Sequence, residues 1–163
     1  MIYLALDQSL NLTGWAIFND TELNKYGTFK TKPSDPIDRR LGTIWDKLNN
    51  LYSEYNFDYL FLEDIQKQSN AETYKKLAYV QAAIYLWCYW NNIKYNILSP
   101  SHWRKVLSDK YKIKYGTKRE EQKKAAQQFV EQQYNLKVTS DEADAINIGI
   151  AGMIELKQYE SAF

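Results

Sequence analysis

The 163-residue chain predicts an α/β fold whose mixed five-stranded sheet, an antiparallel meander followed by parallel strands, is flanked by helices. Three observations lead there. The first thirty residues hold three short apolar or alternating runs separated by tight polar breaks, the pattern of consecutive antiparallel strands. Beyond residue 35, short apolar runs alternate with segments of helical spacing, the pattern of parallel strands joined by crossover helices. The composition, 45% hydrophobic and 15% aromatic, supplies the core of one globular domain spanning 1–163, with no linker-like stretch to divide it.

Taken in order, Ile2-Tyr3-Leu4-Ala5-Leu6 is an apolar run that ends at Asp7, and Thr13 to Phe18 is the second arm of a hairpin. Tyr26 to Lys30, set off by Asn19-Asp20, completes the meander. Asp35-Pro36 offers a helix start, and Ile37, Leu41, Ile44, Leu48, Leu51 and Tyr52 recur at helical spacing, so the first helix runs to about Tyr55. The continuous apolar run Phe57 to Leu62 fits a strand buried on both faces and ends at Glu63-Asp64. Ser69 or Asn70 then caps a long helix from Ala71 to about Trp90. Its alanines allow close approach, and Tyr79, Tyr85, Trp87, Tyr89 and Trp90 fit a core or a subunit contact better than base stacking.

Tyr95 to Leu98 is the fifth strand, and Ser99-Pro100-Ser101 opens a short helix containing Trp103, Arg104, Val106 and Leu107. A basic loop from Lys110 to Gly116 follows. Thr117 and Glu120 have capping-box spacing at the head of a helix reaching about Tyr134, and Thr139 with Glu142 repeats that spacing at the head of the last helix. There Asp141 and Asp144, three apart, share a face with Ala145, Ile148 and Gly152. Glu142 points elsewhere, as an ordinary acid of the first turn favoured by the helix dipole.

The net charge of +1 hides an uneven distribution. Between Lys94 and Lys124 ten Lys or Arg face three Asp or Glu, so this segment carries +7 and the remainder −6. Such asymmetry suits a polyanion held by one region and a cation held by another. No apolar run is long enough to cross a membrane, and no leader pattern precedes the first strand, so a cytoplasmic protein is expected. Cys88, the one cysteine, lies in an apolar run and reads as a core residue.

Asp7, Glu63, Asp141 and Asp144 each stand at the end of an element, and open α/β sheets build their sites at strand ends. Hard divalent ions take oxygen ligands, and a pair of them about 3.5–4 Å apart needs several carboxylates. The alternatives are missing: the single His102 cannot build a zinc site, and no Gly-rich phosphate loop appears. The chemistry implied is phosphodiester hydrolysis. Acids in a first helical turn are ordinary, so the last helix alone says little; the two strand-end acids give it weight.

The chain resembles the RuvC family of Holliday junction resolvases, within the RNase H-like fold, and especially its small phage members. The resemblance lies in Leu6-Asp7-Gln8-Ser9 with Thr13-Gly14-Trp15-Ala16, in Leu62-Glu63-Asp64-Ile65 with Asn70 and a long helix, and in Asp141-Glu142-Ala143-Asp144-Ala145. It implies metal-ligand and catalytic roles for Asp7, Glu63, Asp141 and Asp144, and two Mg²⁺ per site with Mn²⁺ as a substitute. The implied partners are four-way and branched DNA and a second copy of the chain. Asp64 must face the opposite side of its strand and is left out. For DNA contact the resemblance points to Arg104 and Lys118, with Lys105 and Arg119 beside them.

Two positions depart from the family pattern. Ser9 stands where many members have Gly, a change that a turn tolerates. Gln66 stands where resolvases often carry an aromatic near the junction centre, so structure selectivity is expected rather than a strong cut-site sequence. Gln66 and Lys67 either contact DNA or are solvated. Two other readings stand beside the nuclease: a junction-binding protein without cleavage, disfavoured because binding alone would not keep four acids near phosphates, and a fragment of an actin-like ATPase, which would need a second lobe.

Overall fold

The computed structural model of the chain describes residues 1–66 and 69–161, with the side chains of 158–160 left aside. Three antiparallel strands come first, β1 (Ile2–Asp7), β2 (Leu12–Asn19) and β3 (Glu22–Lys30), followed by α1 (Ile37–Tyr55). Then β4 (Tyr59–Glu63), α2 (Ala71–Trp90), β5 (Lys94–Leu98), α3 (Pro100–Tyr111), α4 (Arg119–Tyr134) and α5 (Ser140–Glu160) complete the chain. The sheet order is β3-β2-β1-β4-β5. β1 pairs antiparallel with β2 and parallel with β4, and β4 runs parallel to β5. The meander, the two crossovers and the RNase H-like arrangement are those that the sequence predicts.

Strand alternation divides the core into two layers. Tyr3, Ala5 and Phe61 point into a cluster with Trp103 and Leu107 of α3, Phe129 and Val130 of α4, and Ile146 and Ile150 of α5. Leu4, Leu6, Leu60 and Leu62 point the other way, onto Ile44 and Leu48 of α1 and Val80, Ile84 and Trp87 of α2. Because Leu6 lies opposite Leu62 across the parallel pair, the residues that follow, Asp7 and Glu63, leave the sheet side by side. By the same alternation both face the α5 layer. Asp64 turns to the other layer, where it accepts a hydrogen bond from Gln81 of α2 at 3.3 Å.

α5 lies almost against the sheet. A methyl group at Gly149 would come within 2.3 Å of the Phe18 ring and 3.0 Å of Ala5, so glycine sets how near the helix axis comes to β1 and β2. Asn147 of α5 donates to the Ala126 carbonyl of α4 at 3.3 Å, and His102 of α3 is hydrogen-bonded to Glu155 of α5. α3 and α4 are thereby held to the helix that brings Asp141 and Asp144.

Some boundaries differ from those expected. β3 begins at Glu22 rather than Tyr26, because an edge strand is recruited by main-chain pairing and needs no apolar run. β4 begins two residues after Phe57, since Asp58 is occupied in closing the loop: its N–H and carboxylate both bond to the main chain of Ile2. The capping box at α4 also shifts by one. Glu121, not Glu120, folds back to accept from the backbone N–H of Lys118 and of Thr117, each at 3.1 Å. Lys118, with no acceptor to offer, is the N-cap residue, so the reciprocal half of a true capping box is missing.

Candidate active site

Asp7 and Glu63 come from the paired ends of β1 and β4, and Asp141 and Asp144 from the first turn of α5. All four line one cleft of about 600 Å³. The α5 turn is fixed from two sides. Thr139 caps it reciprocally: its hydroxyl accepts from the Glu142 N–H at 3.3 Å, while the Glu142 carboxylate accepts from the Thr139 N–H at 2.8 Å. Glu142 is thus spent on the cap and turned away from the other acids, as its spacing predicts. On the sheet side Gly14, opposite Asp7 in the ladder, lets the turn approach so closely that an added Cβ would lie 2.0 Å from the Asp141 carbonyl oxygen. Glycine there makes the meeting of Asp7 with Asp141 possible.

The loop after β1 needs no glycine. Ser9 accepts from the N–H of Leu12 at 3.1 Å and donates to its carbonyl at 2.7 Å, closing the turn with a side chain. Arg40, buried on α1, donates to the Leu10 carbonyl, to Thr31 and to Asn11, and so anchors this loop from below. Gln8 donates to the Glu63 main-chain carbonyl, and its own amide oxygen is buried without a partner.

Negative charge in the cleft is only partly compensated. Burial, then the neighbouring Glu63, Asp144 and Asp141, raise the Asp7 carboxyl well above the usual carboxylate range. Burial and Asp144 push Glu63 up to about 7, even though Arg104 and Trp103 pull the other way. Burial raises Asp144 to about 6 against the opposing charges of Arg104, Lys123 and Arg119. The acids are half-buried, so water reaches them while protein supplies most of their surroundings. Several carboxylates that resist ionising together form a site that a cation would relieve.

The donor set is all hard oxygen, which fits Mg²⁺ or Mn²⁺ and not zinc. Among the described residues no three His, Cys, Asp or Glu side chains are drawn into a closed ligand set. The acids instead line an open cleft, where ions keep ligand positions for water and for a substrate's oxygens. A separate cavity of about 410 Å³, lined by Tyr111, Tyr134 and Met153 among others, carries no carboxylate among the described residues.

The basic residues are sorted by position. Arg104 lies over the Trp103 ring, its guanidinium carbon 4.6 Å from the ring centroid, and shares the cleft with Arg119, Gln66 and the acids. Lys105 is outside the cleft, paired with Asp109 at 2.6 Å on the exposed side of α3, and it lines an adjoining basic pocket with Ser101, Ser108 and Tyr115. Lys118 lines neither. Lys67 lies outside the described residues.

Sequence reading missed Gln8, Gln122 and Lys123, which also line the cleft, and Trp103 and Tyr115, which pack on one another beside it, with Arg104 over the indole. Lys123 was within reach: it stands four residues after Arg119, on the same face of α4, and its ammonium lies 3.4 Å from the Ser140 hydroxyl. Trp103 and Tyr115 carried no signal beyond apolar bulk.

The family model for the crossover junction endodeoxyribonuclease RuvC matches residues 3–152. A crossover junction endodeoxyribonuclease RuvC from Rickettsia akari is 31% identical over 153 residues, covering 91% of this chain and 94% of that protein. One from Endomicrobium trichonymphae is 29% identical over 123 residues, 69% of this chain and 65% of that protein. The fold matches T. thermophilus RuvC in complex with Holliday junction substrate, with TM-score 0.80 at 15% identity over 97% of this chain and 96% of the other. It also matches Fowlpox virus resolvase bound to Holliday junction DNA, with TM-score 0.59 at 18% identity over 96% of this chain and 99% of the other.

Proposed function

The chain belongs to the RuvC family of crossover junction endodeoxyribonucleases, and from that membership we propose that it hydrolyses phosphodiester bonds in Holliday junctions and other branched DNA, using two Mg²⁺ ions held by Asp7, Glu63, Asp141 and Asp144. The observation that carries this reading is the convergence of four acids from three elements in one cleft rimmed by Arg104, Arg119 and Lys123.

Bound ions would polarise the scissile phosphate and supply a hydroxide-like nucleophile at neutral pH, with Mn²⁺ as a substitute for Mg²⁺. The chain's own residues set the stage. The strand ends fix Asp7 and Glu63, the Gly14 contact fixes Asp141, and Arg104, Arg119 and Lys123 place positive charge where the DNA backbone would lie. Lys118, beside the exposed N-terminus of α4, adds a backbone-positioning contact on the rim.

A four-way junction has two-fold symmetry, and symmetric cutting needs two sites, which a C2 dimer supplies. The C-terminal half of α2, on its face turned away from the sheet, fits that role. Leu86, Tyr89 and Trp90 are 62%, 84% and 79% exposed, while Val80, Ile84 and Trp87 of the same helix are fully buried, so this half of α2 is apolar on both faces. Leu86→Glu is expected to convert a dimer to a monomer in sedimentation. A cytoplasmic site of action is consistent with the reduced, buried Cys88.

The deciding experiment incubates the protein with labelled four-way junction and matched linear duplex, in Mg²⁺ or EDTA, and maps the cuts. Symmetric cuts confined to the junction and to Mg²⁺ are expected. Equal cutting of the linear duplex, or tight junction binding with no cut in either condition, would overturn the reading.

A further inference from the structure

Around Arg104, at the side of the acid cleft, lie side-chain donors that the proposed function leaves unused. Among the described residues the indole N–H of Trp103, the Nε–H of Arg104 and the hydroxyl of Tyr115 are all buried without a well-aligned hydrogen-bond partner. Trp103 is fully buried and Tyr115 is 6% exposed. They form one packed unit: the Tyr115 ring meets the Trp103 ring edge-on with centroids 5.6 Å apart, and Arg104 lies over that same indole.

A buried donor without a well-placed acceptor is costly, so three in one place point to acceptors that arrive in another state of the site. The acceptors at hand are the acids. The indole N–H of Trp103 comes close enough to Glu63 to hold its carboxyl down as a donor, short of the geometry of a full hydrogen bond, and the Tyr115 hydroxyl, raised above all by burial, sits within the fields of Arg104 and Asp144.

We propose that Trp103 and Tyr115 are positioning residues for the metal centre: once an ion draws the acids into place, the indole N–H donates to Glu63 and the phenol O–H to Asp144. Each ligand keeps one oxygen for the ion and turns the other to a fixed donor, the arrangement by which outer groups orient metal ligands. Arg104 completes the group as their shared cation, its plane held by the Trp103 face. This inference rests on the metal site proposed above.

Tyr115→Phe tests it, because the ring and its packing stay while only the hydroxyl leaves. Two readouts are needed: Mn²⁺ affinity from the free-ion signal in electron paramagnetic resonance, and melting temperature in EDTA. The expected result is Mn²⁺ binding weakened about 10–100-fold, with the melting temperature in EDTA unchanged or raised, since a buried orphan donor has been removed. Trp103→Phe should weaken Mn²⁺ binding over the same range, and Glu63→Gln should then add less than it does alone, because its donor is already gone.

A lower melting temperature for Tyr115→Phe with Mn²⁺ affinity intact would make the hydroxyl purely structural and overturn the inference. So would wild-type affinity in both variants, and in either case the metal site itself would stand. If the wild-type protein bound no more Mn²⁺ than Asp7→Asn, the metal reading would fail first and this inference with it.

Discussion

The two ends of the central strand β1 treat their acids in opposite ways. Where β1 begins, Asp20 accepts from the chain's amino group at 2.7 Å and Asp58 accepts from the Ile2 N–H at 2.7 Å. Hydrogen bonding to that amino group, and its charge, hold Asp20 below the usual carboxylate range. Where β1 ends, Asp7, Glu63 and Asp144 are pushed up by burial and by neighbouring acids, with Arg104 and Lys123 opposing only in part. The same residue types, a strand's length apart, are matched to donors at one end and buried together at the other. Folding accounts for the first arrangement, whereas the second is a cost that only a bound cation turns into a gain.

The largest test of this contrast is catalytic. Asp7→Asn, Glu63→Gln, Asp141→Asn and Asp144→Asn are each expected to slow junction cleavage by at least about a hundredfold, since a misplaced ion forfeits several kcal/mol of transition-state stabilisation. Junction binding should be kept or tightened, because a negative charge near phosphate is gone. Asp20→Asn and Asp64→Asn should cleave at the wild-type rate. A Glu63→Gln enzyme of normal activity beside an inactive Asp64→Asn would reverse the strand facing described here.

Next is Gly14→Ala. The added methyl must displace the Asp141 carbonyl, now at 2.0 Å from its position, and overpacking of this kind costs about 1–3 kcal/mol. Moving the α5 turn also moves two ligands, so cleavage should fall by more than the stability loss alone explains. Gly42 faces open space, and Gly42→Ala, on exposed helix surface, should cleave normally and gain slightly in stability. Thermal melts and cleavage rates of both variants would show whether contact with β2 places the acids.

The third test is pH. Folding raises the affinity of Asp7, Glu63 and Asp144 for protons, so the native state holds more protons than the unfolded chain and stability falls as pH rises. In EDTA the contribution is present below the ordinary carboxylate range and is lost up to about pH 7, where Glu63 titrates. Asp20 has the reverse sign: its contribution is present at neutral pH and is lost as pH falls through its lowered value. Asp7→Asn should therefore raise the melting temperature in EDTA at about pH 7.5 and do little at about pH 4.5. Mg²⁺ should stabilise the wild type more than the variant. If Asp7→Asn and Asp144→Asn both melted lower in EDTA at the higher pH, and Mg²⁺ left the wild type unmoved, the shared cation site would be refuted.

Much of this is legible in the sequence because the strands and the acids carry short-range signals. Asp7 and Glu63 end apolar runs, Asp141 and Asp144 share a helix face, and Thr139 with Glu142 announces the cap; each is read from spacing within a few residues. What stays hidden depends on register and on packing at a distance. Nothing in Thr13-Gly14-Trp15 says that the glycine faces the backbone of residue 141. Trp103 and Tyr115 look like core aromatics, and in part they are; only the fold shows that they pack together beside Arg104, which lines the acid cleft. The helix start points to Lys118, yet the one-residue shift of α4 puts Arg119 and Lys123 on the cleft instead.

That difference between Arg104 and Lys118 gives the smallest effect and the finest probe. Removing one phosphate-binding cation should flatten the log–log dependence of junction affinity on salt by about 0.9. Lys118 is exposed and touches no acid of the cleft, so Lys118→Ala should remove about that much whether or not a divalent ion is present. Without a divalent ion Arg104 lies in the fields of Glu63 and Asp144, so part of its attraction for phosphate is offset before DNA arrives. Ions in the cleft would neutralise those acids and free the guanidinium for phosphate. Arg104→Ala is therefore expected to flatten the slope by about 0.9 in Ca²⁺, used in place of Mg²⁺ to limit cutting during the titration, and by clearly less in EDTA. Equal changes for the two variants in both conditions would mean that Arg104 is a plain rim cation, indifferent to the crowded acids. No change for either would place the DNA surface elsewhere on the molecule.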